Sequence, residues 1–494
     1  MPKKISYQMN NVVFLQEGGI VKKILGIFTK KKRFEQAQQI IYQETAANNS
    51  EVFTRLNENY PLLKWTSGFK GEKEFTIPLK ESEKPHIVFL FMESFRAKNI
   101  GVCGAENSSS PNFDKLSEEG ILFKNFYANS IKTSRAVTSS LFGIPSDIQS
   151  SNISNRPGFP MLGIADILKT VGYQTSYLHN GLLQFENQLD FFANHGFQKI
   201  IGREDILKKF PEAYKTSWGV HDEYLMHYAA DWLEKEDRNG KPLFTTIFTI
   251  SNHHPWTMPP NYEKAPTLSK KTAYSRYLQT FRYSDEALGL FIRLLRQKGL
   301  SKKMIIFILG DHGQPMGEHQ NNFSEQKGLY EENIHVPLLI LADGRLDKSQ
   351  TIHSLGSQVD LLPTVMDFLN IQGINHSVGQ SLLRKNPSKK VYFHNPYGLK
   401  YFGLREENYK CIFTKESKEV ELFDLAADKE EQKNLAEKHP MLVQQYLRDL
   451  MHFENYFSAI YDNYRFVPHM NGFMPNLISN FEFEGVKDAE IRRS

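Results

Sequence analysis

The run Met304-Ile305-Ile306-Phe307-Ile308-Leu309-Gly310 leads straight into Asp311-His312-Gly313. A run this short and this apolar, closed by glycine, reads as a strand buried on both faces. Burying a carboxylate and an imidazole at the end of such a strand is costly unless they hold something. In open α/β sheets, ligands bind at the carboxyl ends of the strands. An adjacent Asp and His offer one oxygen and one nitrogen ligand, which suits a divalent ion such as Zn²⁺ or Mn²⁺. The plainer alternative is that Asp311 N-caps the segment that follows.

A second run has the same design. His86-Ile87-Val88-Phe89-Leu90-Phe91-Met92 delivers Glu93 to its carboxyl end. Two such strands, remote in sequence, can bring Glu93, Asp311 and His312 around one ion. Taken alone, Glu93 is equally read as a surface acid after a strand.

A chain of 494 residues is too long for one compact core, so two or three structural units are expected. Its net charge of +4 is small for this length and does not call for nucleic acid as a partner. Cys103 and Cys411 are the only cysteines, which excludes a disulfide framework and a cysteine-based zinc site. No apolar run reaches eighteen residues, so no transmembrane helix is expected. Lys3-Lys4 precedes a polar stretch, so no signal peptide is expected. Lys22-Lys23 and Lys30-Lys31-Lys32-Arg33, with apolar residues between, could touch an anionic membrane surface or form a solvated helix face.

Residues 1–84 read as a helical appendage, with a helix over 34–47 and a charged linker over 72–82. From residue 85 to 385, strand-like runs alternate with helix-like ones. Strands are expected over 86–92, 175–178, 243–250, 304–310 and 335–341, and a long amphipathic helix over 274–298. This alternation predicts an α/β fold with a largely parallel central sheet and helices on both faces. Over 386–440 the short runs at 391–393, 409–413 and 419–423 predict a small antiparallel subdomain that completes the fold. A helix over 435–453 and a tail without clear period make up the C-terminal segment, 441–494.

Between the two metal-bearing strands lies Lys132-Thr133-Ser134-Arg135-Ala136-Val137-Thr138, ten residues from Thr133 to the turn Gly143-Ile144-Pro145. Before it stands Ser110-Pro111-Asn112-Phe113-Asp114, and after it come Trp218-Gly219-Val220-His221-Asp222-Glu223, Ser251-Asn252-His253-His254-Pro255, Val359-Asp360-Leu361-Leu362-Pro363 and Glu421-Leu422-Phe423-Asp424-Leu425. With these motifs in this order, residues 85–435 resemble the sulfatase-like branch of the alkaline phosphatase superfamily. The likeness is to lipoteichoic acid synthases, phosphoglycerol transferases and phosphoethanolamine transferases. The resemblance implies an enzyme, a transferase or hydrolase. Its divalent ion (Mn, Mg or Zn) is held by Glu93, Thr133, Asp311 and His312, with Thr133 as the nucleophile. It implies His253 as a substrate-phosphate or proton-transfer residue, and His179 and Arg135 as further substrate-binding candidates. It implies a phosphoester or phospholipid-headgroup substrate and a place on the extracytoplasmic face of a bacterial membrane or in the periplasm. On the residues alone, Thr133 is also read as a plain N-cap, and Ser134 and Thr138 are rival hydroxyls.

The pattern departs from the resemblance in two ways. Sulfatases proper carry Cys or Ser in a Cys/Ser-x-Pro-Ser-Arg pattern that matures to formylglycine. Here Ile131 stands three before Ser134 and no proline is present, so sulfate-ester hydrolysis is the alternative rather than the first reading. In lipoteichoic acid synthases a Trp and an Arg follow the middle-strand His; here Glu186 and Gln188 stand in that region.

Overall fold

The computed structural model describes residues 50–57, 59–149, 152–259, 262, 272–320, 322, 328–386, 389–463 and 466–467. The helix expected over 34–47, the basic stretch over 21–33 and most of the tail lie outside these residues.

The chain builds an eight-stranded central sheet. In chain order its strands are β1 (His86–Met92), β2 (Ile121–Phe123), β3 (Gln174–His179), β4 (Lys199–Ile201), β5 (Leu243–Phe248), β6 (Met304–Gly310), β7 (Leu338–Leu341) and β8 (Gln350–Ile352). The spatial order is β8-β2-β7-β6-β1-β5-β3-β4. Strand β7 pairs antiparallel with both its neighbours, and every other pair is parallel. The largely parallel α/β architecture read from the sequence is the observed one.

The two apolar runs behave as strands covered on both sides. Every residue of β1 and β6 is buried. Alternation splits them cleanly: Ile87, Phe89 and Phe91 with Ile305, Phe307 and Leu309 enter one core, and Val88, Leu90 and Met92 with Ile306 and Ile308 enter the other. Helices cover each face. Helices α1 (Thr133–Phe142) and α4 (Leu361–Phe368) pack with the first core, and α2 (Asp222–Asp237) and α3 (Ala273–Gln297) with the second. The β1–β6 register pairs Met92 with Gly310, so the next residues, Glu93 and Asp311, leave the sheet side by side.

A second sheet is an antiparallel meander of β9 (Lys390–Asn395), β10 (Tyr401–Glu406), β11 (Tyr409–Thr414) and β12 (Glu419–Asp424). Helix α5 (Pro440–Asp462) lies on it through Val443, Tyr446, Leu447 and Leu450. This helix was expected over 435–453. It starts later because Pro440, with no N–H and a fixed φ, fits the first helical turn and not the interior. It ends later because Tyr456, Phe457, Ile460 and Tyr461 prolong its buried stripe.

The segment before residue 85 differs from its expected form. Glu51–Arg55 and Lys64–Phe69 are strands, and Gly373–Asn375 joins them in a three-stranded antiparallel sheet. Buried Lys64 and Glu51 pair at 2.5 Å across it. The supposed linker over 72–82 places Phe75 and Ile77 in the main core. Its charges concealed two anchoring apolar side chains. Among the described residues, no helix is long and apolar enough to cross a membrane.

Candidate active site

The carboxyl ends of β1 and β6 bring Glu93, Asp311 and His312 together. One ligand atom from each lies within 4.8 Å of the others. All three side chains are buried, at 3%, 0% and 2% exposure. The third strand element is a helix start: Thr133 is the first residue of α1, and its hydroxyl donates to Asp311 Oδ2 at 2.7 Å and lies 3.3 Å from Glu93 Oε2. Four groups from three remote segments thus meet at one point.

The surrounding backbone sets which atoms face that point. Asp311 Oδ1 accepts the N–H groups of Ser94 (2.8 Å) and His312 (2.7 Å), which turns Oδ2 toward Thr133. Nδ1 of His312 donates to the Gly313 carbonyl at 2.8 Å. That fixes the tautomer and presents the lone pair of Nε2, which sits 3.4 Å from Asp311 Oδ2 and 3.9 Å from Glu93 Oε1. Ser94 Oγ donates to Glu93 Oε1 at 2.7 Å. Gln358 Nε2 holds the Asp311 carbonyl at 2.6 Å, and Tyr277 donates its hydroxyl to the Ser94 carbonyl at 2.8 Å. A Cβ on Gly313 would lie 2.2 Å from the Glu332 carbonyl, so only glycine lets the chain turn here.

Two buried carboxylates this close repel each other unless a positive charge compensates. Two carboxylates, one imidazole whose Nε2 faces them and one hydroxyl form an oxygen-rich donor set with one nitrogen, suited to Mg²⁺, Mn²⁺ or Zn²⁺. The donor set fits a divalent ion.

The structure separates Thr133 from its rivals. Thr138 Oγ1 bonds back to the Ser134 carbonyl at 3.1 Å, inside the helix. Ser134 Oγ is buried and has no hydrogen-bond partner among the described residues. Thr133 therefore bonds to both carboxylates, and the other two hydroxyls do not. Thr133 does not act as an N-cap. Lys132 occupies that position, with φ at 78° and no side-chain cap bond. A lysine in this sparsely populated conformation is held by its surroundings, including its stacking over Tyr397 at 4.4 Å.

Thr133 and Glu93 open onto a cleft also lined by Ser134, His179, Phe185, Glu186, Gln188, Trp218 and His253. His179 ends β3, and its Nδ1 lies 3.0 Å from the Phe248 carbonyl. Burial lowers its pKa below the ordinary histidine value and keeps the ring neutral. A Cβ on Gly181 would fall 2.3 Å from His179 Nε2, so this glycine leaves room for the imidazole. His253 sits at the rim with Nδ1 2.9 Å from the His254 carbonyl, its ring centroid 4.0 Å from that of Trp218. Asp222 caps the loop beneath, accepting the N–H groups of Ile250 (2.9 Å) and Ser251 (3.0 Å).

Arg135 is placed elsewhere. It is fully buried and points away from the cleft, toward Ser146 (3.0 Å), the Asp147 carbonyl (2.5 Å) and His394 (3.2 Å). One residue of helical rotation past Ser134 turns it into the interior, where it ties α1 to the second sheet. The expectation that it binds substrate is corrected accordingly. Sequence reading also passed over Ser94, Gln358, Tyr277, Asn252 and Gly181. Ser94 bonds to the Glu93 and Asp311 carboxylates, Gln358, Tyr277 and Asn252 hold backbone carbonyls beside them, and Gly181 leaves steric room; none of these leaves a local signal.

A hydroxyl at a helix start beside a carboxylate–imidazole cluster, on the carboxyl edge of a mainly parallel sheet, defines a class of α/β esterases and group transferases that work on an ion. The chain belongs to the sulfatase family. The family model described as Sulfatase matches residues 85–371, and one described as N-sulphoglucosamine sulphohydrolase, C-terminal, matches residues 317–454. Lipoteichoic acid synthase of Staphylococcus saprophyticus is 28% identical over 378 residues, 72% of this chain and 55% of that protein. Ulvan-active sulfatase of Formosa agariphila is 26% identical over 446 residues, 81% of this chain and 86% of that protein. Against the lipoteichoic acid synthases, the chain spans about half of the relative's length. Among solved structures, an alkaline phosphatase superfamily protein of Vibrio parahaemolyticus superposes with a TM-score of 0.71 at 20% identity, covering 89% of this chain and 100% of that one. The lipoteichoic acid synthase LtaP of Listeria monocytogenes gives 0.61 at 18%, covering 80% and 97%. The chain thus carries a sulfatase-family domain, and its fold is that of the alkaline phosphatase superfamily protein and the lipoteichoic acid synthase it superposes on.

Proposed function

We propose that this protein is a phosphotransferase or phosphoester hydrolase that works through Thr133 and one divalent ion, Mn²⁺, Mg²⁺ or Zn²⁺. The observation that carries this reading is the Thr133 hydroxyl, 2.7 Å from Asp311 Oδ2 at the start of α1 and open to the cleft. Glu93, Asp311, His312 and Thr133 are the residues that would hold the ion. When bound, the ion supplies Lewis-acid polarisation of a phosphoryl oxygen and favours the ionised form of the hydroxyl.

The chain's own groups account for the rest. Thr133 Oγ attacks phosphorus, a threonine–phosphorus bond forms, and the bond from phosphorus to the leaving oxygen breaks. Asp311 Oδ2 accepts the hydroxyl proton and orients the attacking lone pair. The first N–H groups of α1 have no partner within the helix and face the phosphoryl anion. His253, at the rim, donates a proton to the leaving oxygen, and neutral His179, with Nδ1–H given to the Phe248 carbonyl, offers Nε2 as acceptor to a substrate O–H or N–H. An acceptor alcohol or water then takes the group from Thr133.

The substrate is a phosphoester, a phospholipid headgroup of the phosphoglycerol or phosphoethanolamine type, met at the extracytoplasmic face of a membrane. The likeness to lipoteichoic acid synthases supports this. The sulfatases among the relatives favour a second reading, sulfuric-ester hydrolysis on the same scaffold. Thr133 weighs against it, because formylglycine matures from Cys or Ser. The test is side-by-side turnover of bis(p-nitrophenyl) phosphate and p-nitrophenyl sulfate with added Mn²⁺. Phosphodiester turnover that disappears in Thr133→Ala supports the proposal. Sulfate turnover alone overturns it.

A further inference from the structure

The wall of the cleft opposite Thr133 carries a charge pattern unusual for a site that takes a phosphoester. Among the described residues lining it there is no lysine and no arginine. Apart from Glu93, its only charged side chain is Glu186. The Glu186 carboxylate has no hydrogen bond or ion pair among the described residues, and Asn180, Asp222 and Gln188 are engaged with other groups. The backbone presents Glu186 deliberately. Glu186 and Asn187 both have φ of 53°, a conformation non-glycine residues seldom adopt, and Asn187 is tied down by a 2.7 Å bond to the Ser154 carbonyl.

Two aromatic rings line the same cleft as this carboxylate. Phe185 precedes it and is half exposed. The Phe185 and Trp218 rings stand edge to face, centroids 5.4 Å apart at 89°. Two π-faces at a right angle beside an unpaired carboxylate make a receptor for a cation. The ring quadrupoles and the carboxylate both attract positive charge, and the carboxylate repels a second phosphate or a carboxyl group. Trp218 in turn touches the His253 ring, which joins this wall to the reacting centre.

We propose that Glu186, Phe185 and Trp218 form a subsite for an ammonium group, so that the preferred substrate is a phosphodiester whose transferred headgroup carries a cationic amine. This deepens the phosphotransferase reading and rests on it. The phosphoryl group lies at Thr133, and the amine, one short carbon spacer away, rests on the open ring faces of this edge-to-face pair and against Glu186. A neutral glycerol headgroup leaves the carboxylate without a partner. Primary and quaternary ammonium share this chemistry: the first would gain a hydrogen bond to Glu186, the second more contact with the rings.

The test compares kcat/KM for p-nitrophenyl phosphorylcholine, p-nitrophenyl phosphorylethanolamine and p-nitrophenyl phosphorylglycerol with the Mn²⁺-loaded protein. Both ammonium esters should exceed the glycerol ester by about tenfold or more, mainly through KM, equivalent to about 1.4 kcal/mol. In Glu186→Gln that ratio should fall toward one, and in Glu186→Arg it should invert. Which of the two ammonium esters is better identifies the amine type. A native ratio of one, or a ratio that survives Glu186→Gln, overturns the subsite. Bis(p-nitrophenyl) phosphate, which has no headgroup, separates the two levels: its turnover without discrimination refutes the subsite alone, whereas its absence refutes the phosphotransferase reading. A calorimetric titration of the Thr133→Ala protein with phosphocholine and with glycerol 3-phosphate decides the subsite even then. Equal affinities refute it, and tighter phosphocholine binding that Glu186→Gln abolishes supports it.

Discussion

Thr133→Ala separates catalysis from stability at a single atom. The hydroxyl bonds to Asp311 at 2.7 Å and approaches Glu93 at 3.3 Å. Each such bond contributes about 1 kcal/mol net, and the cleft admits water to replace the lost donor. The helix itself loses nothing, because Thr133 is not its cap and alanine is a better helix former than threonine. The expected destabilisation is therefore about 1–2 kcal/mol, a Tm shift of a few degrees for a domain of this size. The rate should fall on the order of 10³-fold or more, because among the described residues no other hydroxyl bonds to both carboxylates. Thr133→Ser keeps the hydroxyl and should retain part of the activity. The assay pairs p-nitrophenyl ester turnover with differential scanning fluorimetry. Intact-mass measurement after mixing with substrate adds the covalent phosphoryl adduct, which should map to the peptide bearing Thr133. A folded Thr133→Ala protein within tenfold of the native rate would refute the argument, and so would an inactive Ser134→Ala protein carrying no adduct beside an active Thr133→Ala.

Removing one carboxylate of the cluster, as in Asp311→Asn, should weaken Mn²⁺ binding about 100-fold by calorimetry while raising apo-protein stability, since it relieves the repulsion with Glu93. Gly181→Ala should displace His179 and cut kcat/KM with little change in Tm, checked by kinetics and fluorimetry, because the added methyl would meet the imidazole rather than the core. Stability should fall in acid through His221. This ring is buried with neither nitrogen hydrogen-bonded among the described residues, and burial lowers its pKa from 6.5 to about 4. The folded state then binds fewer protons than the unfolded one, so the stabilisation is complete above pH 6.5 and is lost as pH falls toward 4, about 3 kcal/mol in all. Asp166, raised to about 7 by burial, contributes with the opposite sign. The informative quantity is the difference in the Tm-versus-pH slope between the native protein and His221→Gln, and equal slopes would refute the assignment.

The sheet and the meeting of Glu93, Asp311 and His312 at its edge were legible in the sequence for one physical reason. A strand covered on both faces must be apolar throughout, so β1 and β6 stand out as unbroken runs, and the first polar residue after each marks the sheet edge. The long helix, read over 274–298 and observed as Ala273–Gln297, announced itself by its amphipathic period. Strands β2, β4 and β8 did not, because three residues carry no readable period. The Glu51–Arg55 and Lys64–Phe69 pair was hidden for another reason. Its pairing partner, Gly373–Asn375, lies some three hundred residues away, and its buried Lys64–Glu51 pair mimics solvated charge. Arg135 misled because a residue's neighbours in sequence do not fix its direction on a helix. Thr133 and Ser134 face the cleft, while the next side chain already points into the interior.

These contrasts say which parts of the molecule are fixed by chemistry and which are free to vary. Glu93, Asp311 and His312 hang from adjacent strands whose register is locked by thirteen buried side chains, seven from β1 and six from β6. A slip of one residue would exchange the two cores and scatter the ligands, so the cluster is as stable as the sheet itself. Glu186 and Phe185 sit instead in the 3-10 turn Phe185–Asn187 of the connection between β3 and β4, held by backbone bonds to Leu182 and Gln184 and by the Asn187 bond to Ser154. That turn can change its side chains without touching the core. Under the proposed function, the sheet edge would carry the reaction and this turn the choice of headgroup.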